Sequence, residues 1–91
     1  MSKLTRDEVL VRLLQFLEKR RRLKLIMPTF TLKGRSSDSP PGLGITDFKD
    51  LALDINKEFA AQQVNVSGPD CERVKNVSGL ATVVHKSQSL Q

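Results

Sequence analysis

The sequence predicts an all-α fold: a small bundle of four helices with a long loop between the first two. Apolar residues recur at three- and four-residue spacing on both sides of a central segment, which is the periodicity of helices that bury one face. Three serines, two prolines and two glycines fall between residues 35 and 44, a composition typical of an irregular connection. The length of 91 residues suits one domain with a modest core.

The first helix is predicted over about residues 5–22. Thr5 and Glu8 have the spacing of a capping box, in which each side chain bonds the other residue's backbone amide. Leucines at helical spacing form the apolar face: Leu10, Leu13, Leu14 and Leu17. Because Arg20 and Arg21 would rotate back onto that face, its buried part should end near Lys19.

Residues 23–45 are predicted to form a loop. Pro28 disfavours a continuous helix. A hairpin of residues 23–27 and 29–33 is an alternative, but no Asn-Gly type turn supports it. We prefer a loop whose apolar side chains pack onto the helices. These side chains are Ile26, Phe30, Leu32 and Leu43.

The second helix is predicted over about residues 46–62. Thr46 is a suitable N-cap, and Asp47 would favour the positive end of the helix dipole. An apolar stripe follows, made of Phe48, Leu51, Ala52, Ile55 and Phe59.

Four acids lie beside that stripe, within about 80° of one another on the helix surface. This acidic row consists of Asp47, Asp50, Asp54 and Glu58. It is either the solvated face of an amphipathic helix or a docking face for a basic surface on a partner protein. A docking face of this kind gives orientation and association rate more than affinity.

Two shorter helices complete the prediction. Pro69 suits the first position of a helix over about 69–75, and Ser78 can cap a last helix over about 79–86. Residues 87–91 are expected to fray. The predicted core draws on every helix and comprises Phe16, Leu17, Phe48, Leu51, Ile55, Phe59, Val74, Leu80 and Val83.

The second half of the chain resembles the acyl carrier protein family. Asn56-Lys57-Glu58-Phe59 stands where the family's second helix ends in a Glu-Glu-Phe-like segment. Asp70-Cys71-Glu72-Arg73-Val74, followed by Asn76-Val77-Ser78-Gly79, is similar to the family's Asp-Ala-Glu-Lys-Ile and Thr-Val-Gly-Asp. Leu43-Gly44 resembles the Leu-Gly before its prosthetic-group site. The resemblance implies a bundle of acyl-carrier type and an acidic docking face on the second helix.

The resemblance also implies a phosphopantetheine group on a serine at the start of helix two. Counting back from Phe59 places that position at Ile45, and a shift of one residue places it at Thr46. The nearest Asp-Ser pair, Asp38-Ser39, lies several residues earlier and is followed by a proline. Ser39 and Thr46 are therefore the candidate acceptors. Neither stands as the family's serine does, so we expect no prosthetic group.

Positive charge is concentrated in the first part of the chain. Residues 1–35 hold ten Lys/Arg against three Asp/Glu, whereas residues 36–91 hold five against seven. The densest run is a cationic cluster of Lys19, Arg20, Arg21, Arg22 and Lys24. It is either a helix C-terminus favoured by the dipole or a grip for a phosphate backbone, aided by Lys33 and Arg35. The chain has no Tyr or Trp to stack on bases.

Several classes of protein are not expected. A single cysteine, Cys71, and a single histidine, His85, leave no disulfide, no cysteine-based metal site and little basis for a His-based triad. No run approaches the roughly 20 apolar residues of a membrane span. We expect a cytoplasmic protein that is not an enzyme. The oligomeric state is left open, since the apolar face of helix one could instead complete an oligomer.

The sequence therefore predicts a non-catalytic, acyl-carrier-like protein that docks a basic partner protein through the acidic row. The alternative is a small basic nucleic-acid-binding or assembly protein that uses the cationic cluster.

Overall fold

A computed structural model of the chain describes residues 3–35 and 37–88. Within these ranges the chain forms four α-helices and no β-strand. They are α1 (Arg6–Arg21), α2 (Phe48–Glu58), α3 (Gly68–Arg73) and α4 (Val77–Lys86). A single 3-10 turn, Ala60–Gln62, follows α2. The prediction of a small all-α bundle is confirmed.

The predicted capping box begins α1. Thr5 Oγ1 accepts from the Glu8 amide at 3.2 Å, and Glu8 Oε1 accepts from the Thr5 amide at 2.9 Å. The helix ends where Arg22 adopts a left-handed conformation with φ 55°. Val9, Leu13 and Leu17, one in each of three successive turns of α1, are fully buried.

Two predicted N-caps are wrong by a short distance. Asp47, not Thr46, caps α2, because its carboxylate accepts from the Asp50 amide at 3.0 Å. Asn76, not Ser78, caps α4 through a 2.9 Å bond from the Gly79 amide. Ser78 lies in the first turn of α4, where its hydroxyl accepts from the Arg6 guanidinium on α1.

The other predicted limits shift by one to four residues. The regular part of α2 ends at Glu58 rather than near residue 62, since the chain tightens into the 3-10 turn. The third helix runs over Gly68–Arg73 rather than 69–75, because Ser67 caps it and Val74 is extended. Gln88 is buried and does not fray, because its amide group bonds both Leu4 N and Leu4 O. Residues 89–91 of the predicted tail lie outside the described residues.

The loop between α1 and α2 is fastened to the helices rather than folded into the alternative hairpin. Ile26, Leu32 and Leu43 are buried, and Phe30 is partly buried against the core. The carbonyls of Pro28 and Phe30 accept from the first amides of α4, each at 3.0 Å. The loop therefore satisfies helix-end donors while its apolar side chains extend the core.

The core lies where α1 packs on α4 and α2 packs on α3. Phe16, Val74 and Val83 were predicted in it but are only partly buried. Positions outside that core list are fully buried as well, among them Leu13, which was predicted on the apolar face of the first helix, and Cys71 and Val77. No helix in the described part of the chain is long and apolar enough to cross a membrane.

Candidate functional site

The centre of the acidic row is paired with one arginine of α1. Arg20 Nη2 lies 2.6 Å from Asp50 Oδ2, and Arg20 Nε lies 3.2 Å from Asp54 Oδ2. The Nε atom is buried, and its approach to Asp54 lacks the alignment of a hydrogen bond. With its side chain only 21% exposed, Arg20 bridges the two carboxylates and neutralises part of the row.

The two ends of the row also have structural roles. Asp47 is the N-cap of α2. Glu58 Oε1 lies 3.8 Å from Arg12 Nη2, and the same guanidinium donates to the Glu58 carbonyl and stacks over the Phe59 ring at 4.9 Å. The acidic row therefore lies along the seam between α1 and α2. Its carboxylates keep substantial exposure, 57% for Asp50 and 43% for Glu58.

The residues of the cationic cluster do not all share the role of Arg20. Arg20 belongs to the seam, but its neighbours form no ion pair within residues 3–35 and 37–88. Of the two loop cations predicted to aid the cluster, Arg35 lines the same cleft as Arg21. We call this set the cationic end. It consists of Lys19, Arg21, Arg22, Lys24 and Arg35.

Lys33 was predicted to join the cationic cluster as a second loop cation. Instead its ammonium lies 3.7 Å from Glu72 and 5.8 Å from the centre of the Phe48 ring. Lys33 therefore links the loop to α2 and α3 and does not belong to the cationic end.

Leu23 separates two clefts at the cationic end. The larger, of about 820 Å³, is an open groove lined by residues 22–25 together with Gln15, Glu18 and Lys19. The smaller, of about 220 Å³, lies between Arg21 and Arg35 with residues 42–44 as its wall. That wall requires glycine, since a Cβ on Gly42 would collide with the Gly34 carbonyl and Gly44 has φ +62°.

Both acids near the cationic end bond to the backbone instead of to its cations. Glu18 Oε2 accepts from the amides of Leu25 at 2.9 Å and Ile26 at 3.3 Å. Asp38 Oδ2 accepts from the Arg35 amide at 2.8 Å. These bonds shape the loop and leave the cationic side chains without a carboxylate partner.

The two candidate acceptors of a prosthetic group lie in the loop. Thr46 is exposed and directly precedes the N-cap of α2, whereas Ser39 is exposed and lies eight residues before that cap. The structure thus brings only Thr46 to the start of the helix.

The nucleophilic and metal-binding residue types are dispersed. Burial, and to a smaller extent the charge of Asp70, raises the pKa of the Cys71 thiol to about 11. His85 is half-buried in the last turn of α4. Among the described residues, no three His, Cys, Asp or Glu side chains are grouped so that they could hold a metal ion.

Comparison with known proteins adds no family: no protein-family model, no curated protein and no solved structure matches the chain. The site is therefore defined by its own geometry. Sequence reasoning found both charged groups but missed the partition of Arg20 from its neighbours, because Arg20 and Asp50 are 30 residues apart and no local pattern links them.

Proposed function

We propose that this protein is a non-catalytic binding module that captures an anionic macromolecule through its cationic end. The observation that carries the proposal is the contrast in pairing between adjacent arginines. Arg20 is held by two carboxylates, whereas Arg21 and Arg22 are exposed and have no acidic partner in the described part of the chain. A cytoplasmic location is part of the proposal, since the single, buried Cys71 needs no oxidising compartment.

The chemistry of the surface suits polyanions. Arginine guanidinium groups bind carboxylates and phosphates in a planar, bidentate manner. Arg21 and Arg35 line the same small cleft, and both are exposed. Clustered positive charge also raises the rate of association with anionic partners and makes it sensitive to salt.

Fluorescence anisotropy with labelled polyglutamate and labelled single-stranded RNA tests the proposal. The variant R21Q/R22Q/R35Q should bind either polyanion about tenfold more weakly, because each lost contact contributes on the order of 0.5 kcal/mol. Its affinity should also fall less steeply between about 50 and 200 mM NaCl than that of the wild type.

The matched control removes the same charge elsewhere. Lys49, Lys57 and Lys75 are exposed and form no ion pair within the described residues. The variant K49Q/K57Q/K75Q should therefore keep most of the wild-type affinity. Equal losses in the two triple variants would show that only net charge matters, and would remove the cationic end as a site.

A second candidate function is an acyl-carrier-like role with docking through the acidic row. What favours it is the order of the helices, in which a long loop precedes α2 and a short α3 precedes α4, together with the exposed Thr46 beside the α2 N-cap. The ion pairs of Arg20 weigh against a freely available acidic face. The exposure of Asp50 and Glu58 would still let a basic partner reach the row.

Intact mass after incubation with coenzyme A and a broad-specificity phosphopantetheinyl transferase tests this second candidate. A carrier should gain one phosphopantetheine, and the gain should vanish in Thr46→Ala or in Ser39→Ala, whichever residue accepts it. The variant Thr46→Ser supplies a less hindered hydroxyl at the same place. Failure of the wild type and of Thr46→Ser to gain mass would remove the carrier role.

A further inference from the structure

The larger groove of the cationic end has a mixed character. Apolar atoms make up most of its wall, although cationic residues flank it. Leu23 and Leu25 supply apolar side chains, and the long aliphatic parts of Lys19 and Arg22 can cover apolar surface while their charged ends stay in water. A purely anionic ligand would use the charges and leave this apolar surface without a contact.

One wall of the groove is held in an exposed conformation by specific bonds. Leu25 is 78% exposed and adopts φ +59°, a region that leucine rarely occupies. Glu18 stabilises this conformation by accepting from the Leu25 and Ile26 amides, while the Ile26 side chain is buried in the core. Leu25 therefore projects from a fixed backbone, and strain of this kind is common where side chains contact a ligand.

The charges that flank the groove favour a negatively charged ligand. Lys19, Arg22 and Lys24 are cationic and form no ion pair in the described ranges of the chain. Glu18, the single acid among the residues that line the groove, has one oxygen occupied by two backbone amides. A ligand that complements the groove must present apolar side chains bordered by carboxylates or other anions.

We propose that this groove binds an acidic amphipathic segment of a partner protein, whose apolar side chains contact Leu23 and Leu25 while its carboxylates pair with Lys19, Arg22 and Lys24. The inference rests on the proposed function and names the partner class. Helical segments dock in grooves of this kind through apolar side chains at three- and four-residue spacing. Nucleic acid is disfavoured, because no aromatic side chain lines the groove to stack on a base.

Three synthetic peptides of equal length separate the contributions of apolar contacts and of charge to binding. The first peptide carries leucines at three- and four-residue spacing with glutamates on the other face, the second replaces each leucine by serine, and the third replaces each glutamate by lysine. The first peptide should bind at least fivefold more tightly than the second, since it alone gains from apolar burial. The third peptide should not bind, because its charge repels the flanking cations.

Leu25→Asn is the informative variant, since asparagine tolerates a left-handed backbone while removing the apolar side chain. It should weaken the first peptide about fivefold and leave the salt dependence unchanged. Leu53→Gln is the matched control, because Leu53 is 54% exposed on α2 and does not line the groove. This control should bind the first peptide like the wild type.

The outcomes distinguish the groove from the cationic end as a whole. If the serine peptide and polyglutamate bind as tightly as the leucine peptide, and Leu25→Asn has no effect, the groove is not the site and the proposed function stands. If no anionic probe binds, both proposals fail. Binding to anionic phosphatidylserine vesicles without binding to the leucine peptide would overturn the inference in favour of a membrane surface.

Discussion

The α1–α2 seam and the cationic end share the last turn of α1, but their charged side chains have different partners. Along the α1–α2 seam, Arg12 and Arg20 face Glu58, Asp50 and Asp54. At the cationic end, Lys19, Arg21 and Arg22 are exposed and form no ion pair in the described part of the chain. Charge that stabilises the fold and charge available to a partner are thus separated by one step along a helix.

The difference follows from helix geometry. Successive residues are rotated by about 100°, so only residues three or four apart share a face. Arg20 lies on the side that meets α2, whereas Arg21 falls toward the loop and lines a cleft with Arg35. A run of like charges should therefore be divided by helical face before a function is assigned to it.

The largest expected effect tests whether the seam or the core holds α1 in place. Leu17 is fully buried, and Leu17→Ala should lower the free energy of unfolding by about 2–5 kcal/mol through lost burial and a residual cavity. Urea unfolding measures this change. A loss smaller than that of Arg20→Met would show that ion pairs, rather than apolar burial, fix the helix.

The next effect compares neighbouring arginines directly. Arg20→Met removes the partner of two carboxylates at a mostly buried position and should cost about 1–2 kcal/mol. Arg21→Met should change the free energy of unfolding by no more than about 0.5 kcal/mol, because the side chain is exposed and forms no ion pair within residues 3–35 and 37–88. Equal costs would contradict the division between seam and cationic end.

Much of the scaffold could be predicted from local patterns. The leucine periodicity and the Thr5–Glu8 box are contained within a few turns, so they located α1 to within one residue at each end. The caps of α2 and α4 were displaced because Thr46 and Asp47, like Asn76 and Ser78, are both competent caps, and the choice between them depends on tertiary contacts. Ser78, for example, is occupied by Arg6 from α1.

The site was less predictable because its features depend on long-range contacts. The acidic row and the cationic cluster are evident from the sequence, but their pairing through Arg20 requires the C-terminal part of α1 to lie beside α2. Glu18 gave no local signal of its role, since a glutamate that bonds two amides seven and eight residues later belongs to neither a helix nor a turn motif. The groove exists only once that loop is closed.

The two acids in the capping boxes, Glu8 and Asp70, should make the free energy of unfolding depend on pH. Hydrogen bonds from Thr5 lower the pKa of Glu8 below its ordinary value of 4.5, and hydrogen bonds from Ser67 lower the pKa of Asp70 below 3.8. The stabilisation is full above the ordinary values and is lost as the pH falls through the lowered folded-state values. Unfolding of the wild type and of Glu8→Gln/Asp70→Asn, followed across acidic pH, should converge at the acid end. A difference that persists there would show that the carboxylate charge is not its source.

The smallest expected effect concerns the strained residue of the groove. Leu25→Asn should raise the free energy of unfolding slightly, by less than about 1 kcal/mol, because asparagine occupies the left-handed region more readily than leucine. Thermal unfolding would detect the change. A stable variant with weakened peptide binding would mean that Leu25 serves binding at a cost in stability, whereas a destabilised variant would indicate a packing role.

Backbone-amide NMR spectra recorded while polyglutamate is added test the central claim most directly. If the cationic end is the available surface, chemical shifts should change mainly at residues 19–25, at Arg35 and at residues 42–44, and the amides around Lys49, Lys57 and Lys75 should move little. Changes spread evenly over all exposed lysines, or centred on the surfaces of α2 and α4, would contradict the account.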